Sequence, residues 1–287
     1  MTNFIVRAKR VAFQGEPGAY AHLAAREALP HVEAVPYPTF DDAADAVRRG
    51  QTDLCIIPVE NSVMGRIADI HHLLPDAGLH ILGEHFLRIE HQLLAVKGAK
   101  LLGLKTVYSQ LPAITQCLRA IRELKLKAEN WHDTAGSARH VAELKDPKVA
   151  AIASALAAEI YGLEVVKANI EDESHNMTRF LIMARERDDA PNDGRPVITS
   201  FLFRVKNIPA ALYKAMGGFA TNGVNMTKLE SYQLGGSFNA TEFYADIEGH
   251  PDQPNVHRAL DELGYFSAKL TMLGTYYAHS AGRKLSA

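Results

Sequence analysis

Between Arg10 and Val59 the chain repeats one pattern, a short apolar run, a turn, then an amphipathic stretch. "RVAFQG", "HVEAVPY" and "TDLCIIPV" read as strands, and "AYAHLAAREAL" and "TFDDAADAVRRG" between them read as helices. Thr39 is placed to cap the second helix and Gly50 to end it, while Asp53 and Pro58 bound the third strand. Strand–helix–strand–helix–strand order points to a parallel sheet, because parallel neighbours need a crossover long enough to hold a helix.

A second set follows. "KTVYSQ", "KAENWH", "KVAAIAS", "LEVVKANI" and "TRFLIMAR" read as strands, and "LPAITQCLRAIREL", "TAGSARHVAELK" and "ALAAEIYG" as helices, the first with Pro112 in its opening turn. Residues 84–96, ending in "HQLLAV", read as a long extended connection between the two sets. Two similar α/β lobes result, lobe one from about 1–84 and 171–187 and lobe two from about 85–170. Ligands in such folds bind where strand carboxyl ends meet helix N-termini, here the cleft between the lobes.

The polar segment "RERDDAPNDGRP" has the composition of a linker. After it, "VITSFLFRV", "PAALYKAMGGFATNG", "NMTKLESYQLG", "FNATEFYADIEG", "PDQPNVHRALDELG" and "FSAKLTMLGTY" read as strand, helix, strand, strand, helix, strand. This βαββαβ order is ferredoxin-like and long enough for a core of its own.

The bulk numbers exclude several classes. The chain has 287 residues, 47% of them hydrophobic, and a net charge of −2, which gives no electrostatic footprint for nucleic acid or an anionic membrane. No window reaches the roughly 18 consecutive apolar residues of a membrane span. The N-terminal "MTNFIVRAKRVAFQG" lacks a signal-peptide core and cleavage site, so a cytoplasmic protein is expected. Cys55 and Cys117, both in apolar contexts and without CxxC spacing, read as core thiols of a reducing compartment. His71-His72 lacks a second pair at zinc-ligand spacing.

Candidate chemistry gathers at strand ends. "FQGEPGAY" sets Gly15 and Gly18 before a helix, either as an anion-approach turn that Tyr20 follows or as a plain tight turn. Glu60, Asn61 and Ser62 follow a buried strand, as a helix cap, as cleft polar groups, or both, and Glu60 could serve as general acid or as an orienting acceptor. Ser109, Asp133, Thr134, Ser137 and Ser154 each stand before a helix, with Gln116 one helical face beyond Ser109. Singly each reads as a cap, but together the hydroxyls describe a neutral-donor pocket suited to carboxylates. Thr178 and Arg179 stand where a polar stretch meets the apolar run from Phe180. No nucleophile elbow is legible around Ser109 or His132-Asp133.

In order, "VAFQGEPGAYAH", "PVENSVMG", "SQLPAITQC", "DTAGSARHVA", "AAIAS" and "NMTRF" resemble the prephenate dehydratases, and "NIPAALYKAM…NMTKLES" resembles their ACT regulatory domain. The resemblance covers nearly the whole chain. It implies a two-lobed, periplasmic-binding-protein-like catalytic domain over 1–190 and an ACT domain over 197–279. It also implies conversion of prephenate to phenylpyruvate, water and carbon dioxide without a cofactor or metal. Carried over residue by residue, Thr178, Arg179 and Phe180 form the family's Thr-Arg-Phe triplet, with Thr178 catalytic. Glu60 and Asn61 match its Glu-Asn pair, Ser109 and Gln116 its Ser…Gln motif, and Ser62, Thr134, Ser154 and Tyr20 further cleft positions. Thr178 and Glu60 compete for the role of proton donor, and Arg179 is either a carboxylate clamp or a brace behind the site.

The same resemblance implies L-phenylalanine as effector, a homodimer or homotetramer, and effector contacts at Asn207, Ala210, Ala211, Leu212, Glu230 and Ser231. Two departures fall there. The family's usual Pro-Gly-Ala-Leu is here Pro209-Ala210-Ala211-Leu212, and its Glu-Ser-Arg-Pro is Glu230-Ser231-Tyr232-Gln233. Leu111 in "SQLPA" displaces the common Pro-Gln pair. A non-catalytic solute-binding module and an arogenate dehydratase are the competing readings.

Overall fold

The computed structural model describes residues 2–67, 73–75, 77–206, 208–233 and 240–280. By contacts the chain divides into two compact units. One comprises Met1–Ala8, His71–Glu84 and Leu181–Ala287, the other Lys9–Ile70 and His85–Phe180.

The second unit holds β1 (Arg10–Gln14), β2 (Glu33–Tyr37), β3 (Leu54–Asn61) and β4 (Gly65–Arg66). The strand β5 (His80–Arg88) runs into it. There follow β6 (Gln92–Ala95), β7 (Thr106–Ser109), β8 (Lys127–Asn130), β9 (Val149–Ala153) and β10 (Glu164–Lys167), and β11 (Met177–Ala184) runs out again. The first sheet has the order β2-β1-β3-β11-β5, with β4 folded back on β3. Strand β1 is parallel to both neighbours. Val11, Ala12 and Phe13, like Leu54, Cys55, Ile56 and Ile57, are fully buried, which is what a sheet covered on both faces requires.

Capping is local and legible. Thr39 Oγ1 accepts from Asp42 N at 3.0 Å and opens helix Phe40–Arg48. Asp41 and Asp42 in its first turn and Arg48 in its last complement the helix dipole, while Ala43, Ala44, Ala46 and Val47 face the core.

The second sheet has the order β10-β6-β9-β7-β8. Residues 84–96, expected as an extended connection, form β5 and β6 instead, and β6 runs antiparallel to both β9 and β10. Leu93, Leu94 and Ala95 are fully buried, so their backbone groups need ladder partners rather than water. The helix expected over 111–124 is two short ones, Leu111–Thr115 and Leu118–Glu123. Its break follows from a diverted carbonyl, since Gln116 O accepts from Asp172 N at 2.7 Å.

In the other unit, β12 (Val197–Val205), β13 (Met226–Gln233), β14 (Ala240–Glu248) and β15 (Ser267–Tyr277) are joined through helices Ala211–Thr221 and Pro254–Phe266. The antiparallel order β13-β14-β12-β15 is the ferredoxin-like arrangement. Phe201, Phe203, Ala245 and Ile247 pack against Ala215, Phe219, Ala259 and Leu263 of the helices. The strands also carry a buried polar group, in which Ser200 Oγ donates to Asp246 Oδ1 at 2.5 Å and lies 2.7 Å from Tyr276 OH. The polar 185–196 segment is tied down rather than loose. Asp188 accepts from Phe4 N, Asp189 from Thr275 N, and Ala190 N donates to Thr275 O. Among the described residues no helix is long and apolar enough to cross a membrane.

Candidate active site

The second unit contains a cavity of about 480 Å³, walled by strand ends and helix starts of the first sheet's side and by the loops and helix starts that flank strands of the second sheet. Of the candidate site residues above, Gly15, Tyr20, Asn61, Gln116, Asp133, Thr134, Thr178 and Phe180 line it. Thr178 and Phe180 are two apart on β11 and so share a face.

Arg179 points the other way. It is 2% exposed, and its Nη1 donates to Glu60 Oε1 at 3.0 Å. Glu60 and Arg179 are therefore coupled to each other, and neither lines the cavity.

Glu60 and Asn61 are the last residues of β3, not the residues after it. The chain reverses there in a hairpin onto β4 and opens no helix. Asn61 Oδ1 accepts from both Val63 N and Met64 N at 2.9 Å, closing the turn. Its amide Nδ2 donates to Asn176 Oδ1 at 2.7 Å and to Thr178 Oγ1 at 2.9 Å. Ser62 ties the hairpin to the residues before β11, donating to His175 O and accepting from Met177 N.

The serines expected in the pocket serve the scaffold. Ser109 Oγ, fully buried, donates across to Ile152 O at 2.7 Å. Ser154 caps helix Ala155–Tyr161 and donates to Gly18 O at 2.6 Å. Ser137 donates to Thr134 O, and Asp133 caps helix Thr134–Leu144 through Gly136 N. The turn at Gly15 and Gly18 is also held by the scaffold, with Gly15 at the cavity wall. Gly18 takes φ +95°, and a Cβ there would lie 2.8 Å from Ala157 Cα. Arg139 grips Glu16 with two nitrogens at 2.7 and 2.8 Å, and Tyr161 OH donates to Pro17 O. The Arg139 hydrogen bonds hold the Glu16 carboxyl below its usual range.

Two wall residues, Arg66 and His91, and one residue behind the wall, Asn176, escape a sequence reading. Arg66 is the single Lys or Arg among the described residues that line the cavity. Its only signal is an arginine soon after a strand-end Glu-Asn. His91 lies in what reads as a connection, yet it is 2% exposed, with Tyr20 OH 2.8 Å from Nδ1 and Gln116 Oε1 2.7 Å from Nε2. Burial pushes His91 below the ordinary histidine range and Tyr20 well above the ordinary tyrosine range. Asn176, 1% exposed, joins the two halves through Gln116 Oε1 at 3.1 Å.

Of the expected effector positions, Asn207 lies outside the described residues. Ala210 takes the left-handed conformation at φ 60°, ψ 18° before helix Ala211–Thr221. Ala211 is buried and Leu212 packs on the core, Glu230 accepts from Lys228 Nζ, and Ser231 is exposed.

The model of one family, prephenate dehydratase, matches residues 11–188, which hold every residue of this cavity. The chain belongs to the prephenate dehydratase family. It is an enzyme of the prephenate and arogenate dehydratases, whose reaction is of the lyase type. A bifunctional N-acyl-homoserine lactone acylase/prephenate dehydratase from Komagataeibacter europaeus is 49% identical over 274 residues, 96% of this chain and 98% of that protein. Arogenate dehydratase 2 of Petunia hybrida is 40% identical, over 94% of this chain and 72% of its own length. The crystal structure of prephenate dehydratase from Arthrobacter aurescens in complex with L-Phe has a TM-score of 0.87 and 27% identity, covering 97% of this chain and 93% of that one.

Proposed function

We propose that this prephenate dehydratase family member removes water and carbon dioxide from prephenate to give phenylpyruvate, with Thr178 as hydrogen-bond donor to the departing ring hydroxyl. One observation carries the reading. Thr178 Oγ1 accepts from Asn61 Nδ2 at 2.9 Å, so its own proton remains for the cavity. Aromatisation supplies the driving force, and the protein has to hold the dianion and stabilise the leaving oxygen. A hydroxyl whose oxygen already accepts a hydrogen bond is a better donor, because such bonds reinforce one another. Arg66 is the cation suited to a substrate carboxylate, and Arg179 with Glu60 braces the strand behind Thr178. No cofactor enters this scheme.

The βαββαβ module is read as an ACT domain that binds L-phenylalanine and joins subunits into a dimer or tetramer, in a cytoplasmic enzyme. The L-Phe complex of the Arthrobacter aurescens relative supports the effector. The test is turnover of prephenate, followed as phenylpyruvate, with and without L-phenylalanine. L-Arogenate and an N-acyl-homoserine lactone run in parallel, the second because the Komagataeibacter europaeus relative is named for both activities. Prephenate turnover is the expected result. Turnover of the lactone alone overturns the assignment.

A further inference from the structure

The side chains along the cavity form one continuous hydrogen-bonded chain, Thr178–Asn61–Asn176–Gln116–His91–Tyr20. The oxygen and nitrogen of a side-chain amide are told apart by their partners, and backbone N–H groups can only donate. Two of them, Val63 N and Met64 N, point at one atom of Asn61, which must be Oδ1. Everything downstream follows. Asn61 Nδ2 donates, so the Asn176 atom facing it is Oδ1. Asn176 Nδ2 then faces Gln116, whose facing atom must be Oε1. An amide oxygen cannot donate, so His91 Nε2, 2.7 Å from that same oxygen, must carry a proton.

The remaining ring nitrogen, Nδ1, is the acceptor for Tyr20 OH at 2.8 Å. Glu90 O, 3.1 Å from the same hydroxyl, is its alternative acceptor. Either way the Tyr20 proton is spent inside the protein, and Tyr20 offers the cavity lone pairs only.

We propose that Asn176 is a positioning residue, which transmits the polarity of the Asn61 turn to His91, locks that ring as the Nε2–H tautomer, and so makes Tyr20 an acceptor at the wall of the cavity. Its bearing on turnover rests on the dehydratase reading of this cavity. The tautomer does not, so the two can fail separately. Burial of His91 favours the uncharged ring, while Glu171, whose Oε2 accepts from His91 N at 2.9 Å, works against it. Tyr20 and Gln116 are the other groups that face the ring, and the Glu90 carbonyl faces Tyr20 OH.

Asn176→Asp offers Gln116 an acceptor where it now meets a donor. Gln116 then turns its NH₂ toward the new carboxylate and toward His91 Nε2, and Nε2 can no longer hold the proton against it. The experiment is long-range ¹H–¹⁵N correlation of ¹⁵N-histidine-labelled full-length protein, with His91 assigned by the signal lost in His91→Gln. The wild-type ring is expected neutral with its proton on Nε2 at pH 7.5, and Asn176→Asp is expected to abolish that form. Alongside, kcat falls at least about tenfold with KM changed far less, as misplacement of catalytic groups does. A wild-type ring protonated on Nδ1, or charged at that pH, overturns the proposal whether or not the variant folds. So does a folded Asn176→Asp protein that keeps the neutral Nε2–H ring. Wild-type protein with the stated tautomer and no dehydratase turnover overturns the functional reading and leaves the lock standing.

Discussion

Arg179 and Glu60 form an ion pair at 3.0 Å, and the two ends differ in exposure, with side chains 2% and 33% exposed. The asymmetry decides which substitution hurts more. Glu60 can rehydrate when its partner is removed, but Arg179 cannot. Glu60→Ala is expected to cost about 3 kcal/mol and Arg179→Met about half as much, since a buried charge that loses its carboxylate is the larger penalty. Urea unfolding of both variants measures the difference. Equal losses would mean that Arg179 is held chiefly by its other contacts.

Thr178→Val keeps the volume of the side chain and removes the hydroxyl. A single preorganised donor at a developing oxyanion is worth about 100-fold to 1000-fold in kcat. Stability should fall by only about 1 kcal/mol, for the acceptor that Asn61 loses. Steady-state kinetics beside thermal unfolding separates the two. A kcat within a few-fold of wild type in a folded variant assigns the leaving group to another residue.

Ala210 sits at φ 60°, where a Cβ is strained, at the position where the resemblance read from the sequence implies glycine. Ala210→Gly is expected to raise stability by about 1 kcal/mol, because relief of left-handed strain outweighs the added chain entropy. The melting temperature reads it. If the family's glycine also serves close approach of an amino acid, the same variant tightens L-phenylalanine binding in titration calorimetry.

His91 resists protonation in the fold because it is buried. The unfolded chain takes up a proton near the ordinary histidine value of 6.5, and the folded one only below it. The folded state therefore binds fewer protons, and its stability falls as pH drops through 6.5 until the folded pKa is passed. Melting temperatures between pH 8 and pH 5 should decline more steeply for wild type than for His91→Gln. Parallel profiles would place the acid sensitivity in other groups, His22 among them, which burial also depresses.

With its proton committed inward, Tyr20 can accept from a substrate but not donate. Arogenate carries an ammonium donor where prephenate carries a keto oxygen. Tyr20→Phe is expected to lower kcat/KM for arogenate about tenfold more than for prephenate, the worth of one hydrogen bond to a charged group. Equal losses on both substrates would place Tyr20 away from that end of the substrate.

Much of the element order was readable because most strands and helices announce themselves locally, through apolar runs, caps such as Thr39 and Ser154, and terminal glycines. What could not be read is set by partners far along the chain. Nothing in "HQLLAV" says that β6 runs antiparallel to β9 and β10. The break at Gln116 depends on Asp172, more than fifty residues away. The site divides in the same way. Hydroxyls at strand ends were visible, but whether each serves ligand or scaffold depends on a carbonyl across the fold, Ile152 for Ser109 and Gly18 for Ser154. Asn176 stood in plain view in "NMTRF", and its role emerges only from the atoms on either side of it.

The Gly15–Gly18 turn, gripped by Arg139, Ser154 and Tyr161, joins the first sheet of this unit to helices behind the second. Two of those three grips are on main-chain carbonyls, Gly18 and Pro17, so truncating a side chain of the turn leaves both acceptors in place. Separating the sheets would strip those carbonyls of their donors. A ligand entering the cavity thus meets walls already at their working distance, and its uptake should show the modest negative heat-capacity change of a filled pocket rather than that of a closing clamshell.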